Sequence, residues 1–425
     1  MKRNFFLLSA IICVTFVACS KQEVSLTTLD TVNVSNDKNA DDFAKLLSAS
    51  LSNADMKDYI INAAREDFDG DSNFLITEKI SDSSVKSASS FYTLLKNQYF
   101  TKSYNIEALD LDKIISEIQN YDPLLQIYLM NEELWDAECS PIVVWLPEDF
   151  DESVPCILTG YDMNGTKLCL PSDKEITDKP VVVISRNERV EVIEKDKADS
   201  KGLYLGARPY YSSNKYNYYL KEDLSYPSEI IATYDLKDLT KATTILTDEE
   251  TALAWGGDYA ICDRYDSYPT VEHIELVSIV DKDAWKKLES GWNGEPDLKV
   301  FVIHAVKTLT AINIIADKKH IGKGYGNRNN IVWKQVRLPL YLWSLATYGN
   351  AMKYEWFDED SGKVINAGTT FTTQFYNYGT LPEQYVSMDI LKRDEYAGGA
   401  YVYYWQDWCK EYRSDCVRFE IQSKK

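Results

Sequence analysis

Hydrophobic and polar positions change period several times along the chain, and each change predicts a different element. An apolar run from Phe5 to Val17 is about a dozen residues long, short of the roughly 20 that a membrane-spanning helix needs. Ser20 to Lys38 is polar and aperiodic, and a flexible tether is expected over 19–39. Asn39 then stands where a helix cap is wanted, with Asp41 and Asp42 after it. Phe43, Leu46, Leu47 and Leu51 share one face at helical spacing, and beyond Ser52-Asn53 a second stripe holds Met56, Tyr59, Ile60 and Ala63. This spacing predicts a helical hairpin over 40–66. Ile106, Leu109, Leu111, Ile114, Ile115 and Ile118 add one more amphipathic helix, and the helical segment is expected to fill 40–122.

After Asp122-Pro123 the texture turns to β. LLQIYLM, PIVVWLP and CILTGYD are short apolar or alternating runs, with Asn164-Gly165 as a hairpin signal. PVVVISRNERVEVI is the most strand-like run and is expected at the centre of a β-rich unit over 123–195. A Tyr-rich irregular region is expected over 196–267. From 268 to 425 the runs VEHIELVSI, DLKVFVIHAV, IVWKQVRLPLYLW, MKYEWF, YVSMDILKR and AYVYYWQDW predict an antiparallel sandwich. The expected fold class is α+β: a short N-terminal helical segment, a mixed β-unit and a C-terminal antiparallel β-sandwich.

Composition narrows the partners. At 425 residues the chain is long for a single core, and its net charge of -20 repels phosphate backbones. Nucleic acid is set aside, there being no basic block with interleaved aromatics. Lys2 and Arg3 before the apolar run and Val17-Ala18-Cys19 after it resemble the lipobox signal of bacterial lipoproteins. Phe16 stands where that family more often has Leu, and an ordinary secretory signal cut near Ala18 is the alternative. The resemblance implies a signal peptide over 1–18, cleavage before Cys19 and acylation of Cys19. The body would then be held on a membrane by its N-terminal lipid, in the cell envelope and at the outer membrane as first expectation. PIVVWLP, PVVVISRNERVEV and WNGEPDLKVFV are similar to runs in uncharacterised lipoproteins of Gram-negative gut anaerobes, a resemblance that implies no activity.

Export makes disulfides available. Cys409 and Cys416 lie between two strand-like runs, where a cystine would close a terminal hairpin loop and add about 2.5 kcal/mol. A metal or redox pair would want C-x-x-C or a nearby histidine, and has neither.

Candidate chemistry is sparse. His273, His304 and His320 form no H-E-x-x-H, G-x-S-x-G is absent, and the glycine-rich Gly322 to Arg328 lacks phosphate-loop spacing. Asp67, Asp69 and Asp71, with Asn73 and Glu78, sit at positions 1, 3, 5, 7 and 12 of a calcium loop. Glycine falls at position 4 instead of 6, however, and FLITEKI after it reads as a strand. A helix-ending turn with Gly70 left-handed is the competing reading. A second acidic turn with Asp358 and Asp360 is a further calcium candidate, against a solvated turn; no other cofactor is indicated. Tyr210, Tyr211, Tyr216, Tyr218 and Tyr219, among Ser, Asn and Lys, are read either as a wet recognition loop or as rings packed on neighbouring strands. The leading expectation is a non-catalytic module for a glycan or protein ligand. A carboxylate-based hydrolase (glycosidase or peptidase-like) and a structural subunit of an envelope complex are the alternatives.

Overall fold

The computed structural model describes residues 31–66, 68–81, 90–101, 113–116, 122–136, 138–147, 150, 156–172, 174, 176, 178–195, 207–236, 271–289, 295–360, 363–375, 379–404, 406 and 410–423. The expected signal peptide, Cys19, Asp67 and Cys409 lie outside them.

Helix α1 (Thr31–Ser50) starts upstream of the expected Asn39 cap, over residues read as tether. Nothing between Thr31 and Ser50 breaks it: the stretch has no proline or glycine. Helix α2 (Ala54–Ala64) begins where predicted, the Asn53 side chain accepting from Asp55 N at 2.9 Å. FLITEKI divides into β1 (Asn73–Leu75) and helix α3 (Ile76–Ser81). Helix α4 (Phe91–Thr101) follows, and residues 113–116 are helical with Ile114 and Ile115 buried.

Strands β2 (Leu125–Met130), β3 (Ile142–Trp145), β4 (Ile157–Tyr161), β5 (Lys167–Pro171) and β6 (Val181–Arg186) join β1 in the order β1-β2-β6-β3-β4-β5. The sheet is mixed, since β3 and β6 pair in parallel. Strand β6 is central as predicted, because both its faces are covered. Val182 and Ile184 meet Phe43, Leu47, Ile60 and Phe91 of the helices, while Val181 and Val183 meet Ile142, Val144 and Leu158 on the far side. Helical segment and β-unit therefore share one core.

The region read as irregular holds β8 (Tyr211–Ser212) and β9 (Tyr216–Leu220), which join β7 (Val190–Glu194) of the expected β-rich unit in a small sheet of order β7-β9-β8. It also holds β10 (Glu229–Asp235), so the C-terminal sandwich begins well before 268. The sandwich is completed by β11 (Glu272–Ile279), α5 (Lys282–Leu288), β12 (Leu298–Lys307), β13 (Ala311–Gly322), β14 (Gly326–Asn327), β15 (Asn330–Ile331), β16 (Lys334–Pro339), α6 (Leu345–Tyr348) and β17 (Ala351–Asp358). Then come β18 (Val364–Phe371), β19 (Gln374–Phe375), β20 (Gly379–Thr380), β21 (Gln384–Leu391), β22 (Glu395–Tyr403), β23 (Glu411–Arg413) and β24 (Val417–Ser423).

A five-stranded sheet, β10-β13-β12-β17-β22, packs on a four-stranded sheet, β16-β11-β24-β23. Val300, Val302, Tyr354 and Trp356 from the first meet Ile274, Val277, Phe419 and Ile421 from the second. The hairpin β18–β21 covers much of the first sheet's other face, with Phe371, Val386, Met388 and Ile390 against Phe301, Ile303 and Phe357. The expected cystine is not part of this structure. No disulfide occurs among the described residues: Cys416 carries a free, buried thiol in the turn between β23 and β24, and Cys409 lies outside them.

Candidate ligand-binding site

Of the tyrosines singled out in the sequence, Tyr218 and Tyr219 are buried and Tyr210, Tyr211 and Tyr216 are half-buried, all on or beside a short hairpin. Tyr216, Tyr218 and Leu220 alternate along β9 and pack with Leu75, Leu124 and Val190, Tyr218 being fully buried. Tyr219 faces the other way, against Ile193 and Leu224. Tyr211 lies 5.1 Å from the Tyr218 ring. Tyr210 stacks on Phe68 at 4.2 Å and donates to Glu78 Oε2 at 2.7 Å. The Ser and Asn residues between them are the outward positions of a short hairpin.

Asp69, Asp71 and Asp358 give carboxylate oxygens to protein donors. Asp69 accepts from Asn187 Nδ2 at 2.7 Å and Asn73 Nδ2 at 3.0 Å, and Asp71 pairs with Lys323. Gly70 has φ +92, where a Cβ would come 3.0 Å from Arg189 Nη1, so the helix-ending turn also makes room for a guanidinium. Asp358 Oδ1 accepts from Asp297 N at 2.6 Å, and Asp360 N donates to Asp394 Oδ1 at 3.0 Å. Among the described residues no group of three His, Cys, Asp or Glu side chains could hold a metal ion.

These acids belong to a seam of buried charge between the N-terminal unit and the sandwich. Arg189 pairs with Glu222 at 2.7 Å and lies 3.8 Å from Asp297. Lys221 and Lys299 lie 2.8 and 3.7 Å from Glu359, and Lys299 also pairs with Asp394. Burial pushes Asp297 up to about 6 against the pull of Arg189. Asp358 is driven well above the carboxyl range by the same desolvation. Glu359, though just as buried, is held well below that range by His320, Lys221 and Lys299.

A different constellation lies on the face of β17 turned away from the sandwich core. Lys353, Glu355 and Phe357 alternate there with inward Tyr354 and Trp356. Glu355 is fully buried, accepts hydrogen bonds from Thr369 Oγ1 at 2.5 Å and Tyr396 Oη at 2.6 Å, and pairs with Lys353 Nζ at 2.7 Å. Room for the carboxyl group comes from Gly399, opposite it on β22, where a Cβ would stand 2.4 Å from Glu355 Oε2. Tyr396 is pinned at its hydroxyl while its ring stays 47% exposed, beside Phe357 at 5.4 Å. Tyr401 donates to Thr370 O at 3.2 Å, stacks with Tyr403 at 5.9 Å and 16°, and has Lys353 Nζ 5.3 Å from its ring. Strand β22 ends the sheet order, so these rings lie along an edge about 20 Å long.

The sequence carried a signal for this site that the tyrosine density of 210–219 masked. Lys353 and Glu355 alternate with Tyr354 and Trp356, and Gly398-Gly399 interrupts a strand of aromatic residues. The chain matches no protein-family model, no curated protein and no solved structure with which it was compared.

Proposed function

We propose that this protein is a lipid-anchored envelope module that binds a polyhydroxylated ligand, a glycan, along the β22 edge. The reading rests on one observation: Glu355, buried behind Gly399, fixes the exposed ring of Tyr396 through its hydroxyl, beside the stacked pair Tyr401 and Tyr403. Rigid aromatic faces lose little entropy on binding, and hydroxyls pinned on one side still offer lone pairs to a sugar on the other. The lipobox-like Cys19 supplies the tether. Carboxylates of unequal environment also meet in the seam, as a hydrolase would need, but Glu359 and Asp71 are each taken up by lysines there.

The test is a glycan array probed with the wild-type chain and with Tyr396→Ala and Tyr401→Ala. Each substitution should weaken the selected glycan by about 1–3 kcal/mol, the range for an anchor residue. Equal binding by both variants would remove the site from the proposal. The anchor is checked separately: Cys19→Ala should end palmitate labelling, and continued labelling would place the lipid elsewhere.

A further inference from the structure

Lys318 and His320 lie two residues apart on β13, on the same face of the sheet. One ring covers both, Tyr226, at 4.9 Å from the His320 ring and 5.4 Å from Lys318 Nζ. His320 Nδ1 stands 2.5 Å from Glu359 Oε2, and that carboxylate selects the tautomer with the proton on Nδ1. Nε2 therefore carries the bare lone pair. It is buried and has no hydrogen-bond partner among the described residues, where nearly every buried polar atom of a native fold has one.

The charges around it do not balance. Glu359 and Asp394 face the ammonium groups of Lys221, Lys299 and Lys318, and the first two lysines take up the carboxylates. Lys318 has no ion-pair partner among the described residues and is half-buried. One surplus positive charge and one buried acceptor are thus set side by side.

We infer that Lys318 and His320 bind an oxyanion that still carries a proton, namely a hydrogen phosphate. One P–O⁻ accepts from Lys318 Nζ and neutralises the surplus charge. The P–OH donates to His320 Nε2, which no fully deprotonated anion can satisfy. Sulfate is that control: of like shape and charge, it has no O–H at neutral pH. The site is separate from the tyrosines of β22, so either can fail without the other.

Inorganic phosphate is titrated into the full chain at pH 7 and followed by calorimetry and ³¹P line width, with sulfate in parallel. The expected result is saturable binding of phosphate and binding of sulfate at least tenfold weaker. Lys318→Met should weaken phosphate at least tenfold. His320→Asn, which keeps a donor toward Glu359 and removes Nε2, should bring phosphate down to the level of sulfate. Lys318→Gln gives the same comparison as Lys318→Met if the latter does not fold. Absence of saturable phosphate binding, equal affinity for the two anions, or undiminished binding by a folded Lys318 variant would each overturn the inference.

Discussion

Replacing Asp71 with asparagine should loosen the joint between the two halves of the molecule. Its partner Lys323 lies in the loop after β13, between Gly322 and Gly324, both with positive φ, and is 8% exposed. Burial alone would lower the Lys323 pKa, but Asp71, Glu289 and Asp297 hold it well above its ordinary value, so the ammonium stays charged. Removing the Asp71 charge leaves that ammonium desolvated without its nearest partner, which typically costs about 3–5 kcal/mol. At about 2–4 °C per kcal/mol for a body of this kind, the melting point should fall by about 10 °C. The double change Asp71→Leu with Lys323→Met should behave differently. Burial raises the Asp71 pKa against the opposing pull of Lys323, so the Asp71 carboxylate does not recover its own desolvation. An apolar pair of similar volume should then lie within about 1 kcal/mol of wild type. Calorimetric melts at pH 7 of the single and double variants decide the matter. An Asp71→Asn protein melting within 2 °C (roughly half a kcal/mol) of wild type would show that the seam is wetter than the structure indicates.

Three further outcomes are expected. Burial holds His304 and His320 down to about 4, below the ordinary 6.5. Their contribution is complete above pH 6.5 and is lost as pH falls through the window to 4, by about 3 kcal/mol per histidine. Asp297, raised from 3.8 to about 6, acts in the opposite sense, its contribution being lost as pH rises through 6. Asp71 and Asp358, also raised by burial, act with Asp297, so the histidine share is read by difference: the change in urea midpoint from pH 7 to pH 4.5 should be less negative in His304→Phe than in wild type, and an equal change would refute the neutral assignment. Tyr218→Ala should cost about 3–5 kcal/mol and leave glycan binding unchanged in protein that remains folded, since the fully buried ring fills the small core under β7; an unchanged urea midpoint would contradict this. Gly399→Ala puts a methyl 2.4 Å from Glu355 Oε2 and should displace the Tyr396 hydroxyl, with glycan binding lost in protein that remains folded. Undiminished affinity in that variant would separate Glu355 from the site.

Local pattern carried much of the fold into the sequence. The stripe Phe43, Leu46, Leu47 and Leu51 placed a helix, and the unbroken apolar run of β6 placed a central strand, because in both cases one short segment records which faces are covered. The tyrosines of 210–219 were harder: β8 and β9 are 2 and 5 residues long, too short for alternation to stand out among so many rings. The seam was not legible. Asp71 finds Lys323 across 252 positions, and Lys221 finds Glu359 across 138, so nothing near any of these residues announces its partner. Read alone, Asp67, Asp69 and Asp71 look like cation ligands, since the cations that answer Asp71 and surround the turn come from side chains far along the chain.

Strand β17 shows why charges of this kind can be kept inside a sheet. Its residues divide by parity: Met352, Tyr354 and Trp356 enter the sandwich core, while Lys353, Glu355 and Phe357, with Glu359 beyond the strand end, take the other face. Apolar side chains at the charged positions would serve stability as well, because a buried ion pair seldom outperforms a packed isostere. What the charges add is register. A one-residue slip of β17 against β12 would send Lys353 and Glu355 into the space of Tyr354 and Trp356, stripping Glu355 of Thr369 and Tyr396. The correct pairing, Phe301 opposite Glu355 and Lys299 opposite Phe357, leaves Glu355 and Glu359 each beside a cation of their own. The same alignment puts Glu355 behind Gly399 and Glu359 behind His320, so the pairing that excludes the slipped sheet also assembles the tyrosine edge and the lysine–histidine site.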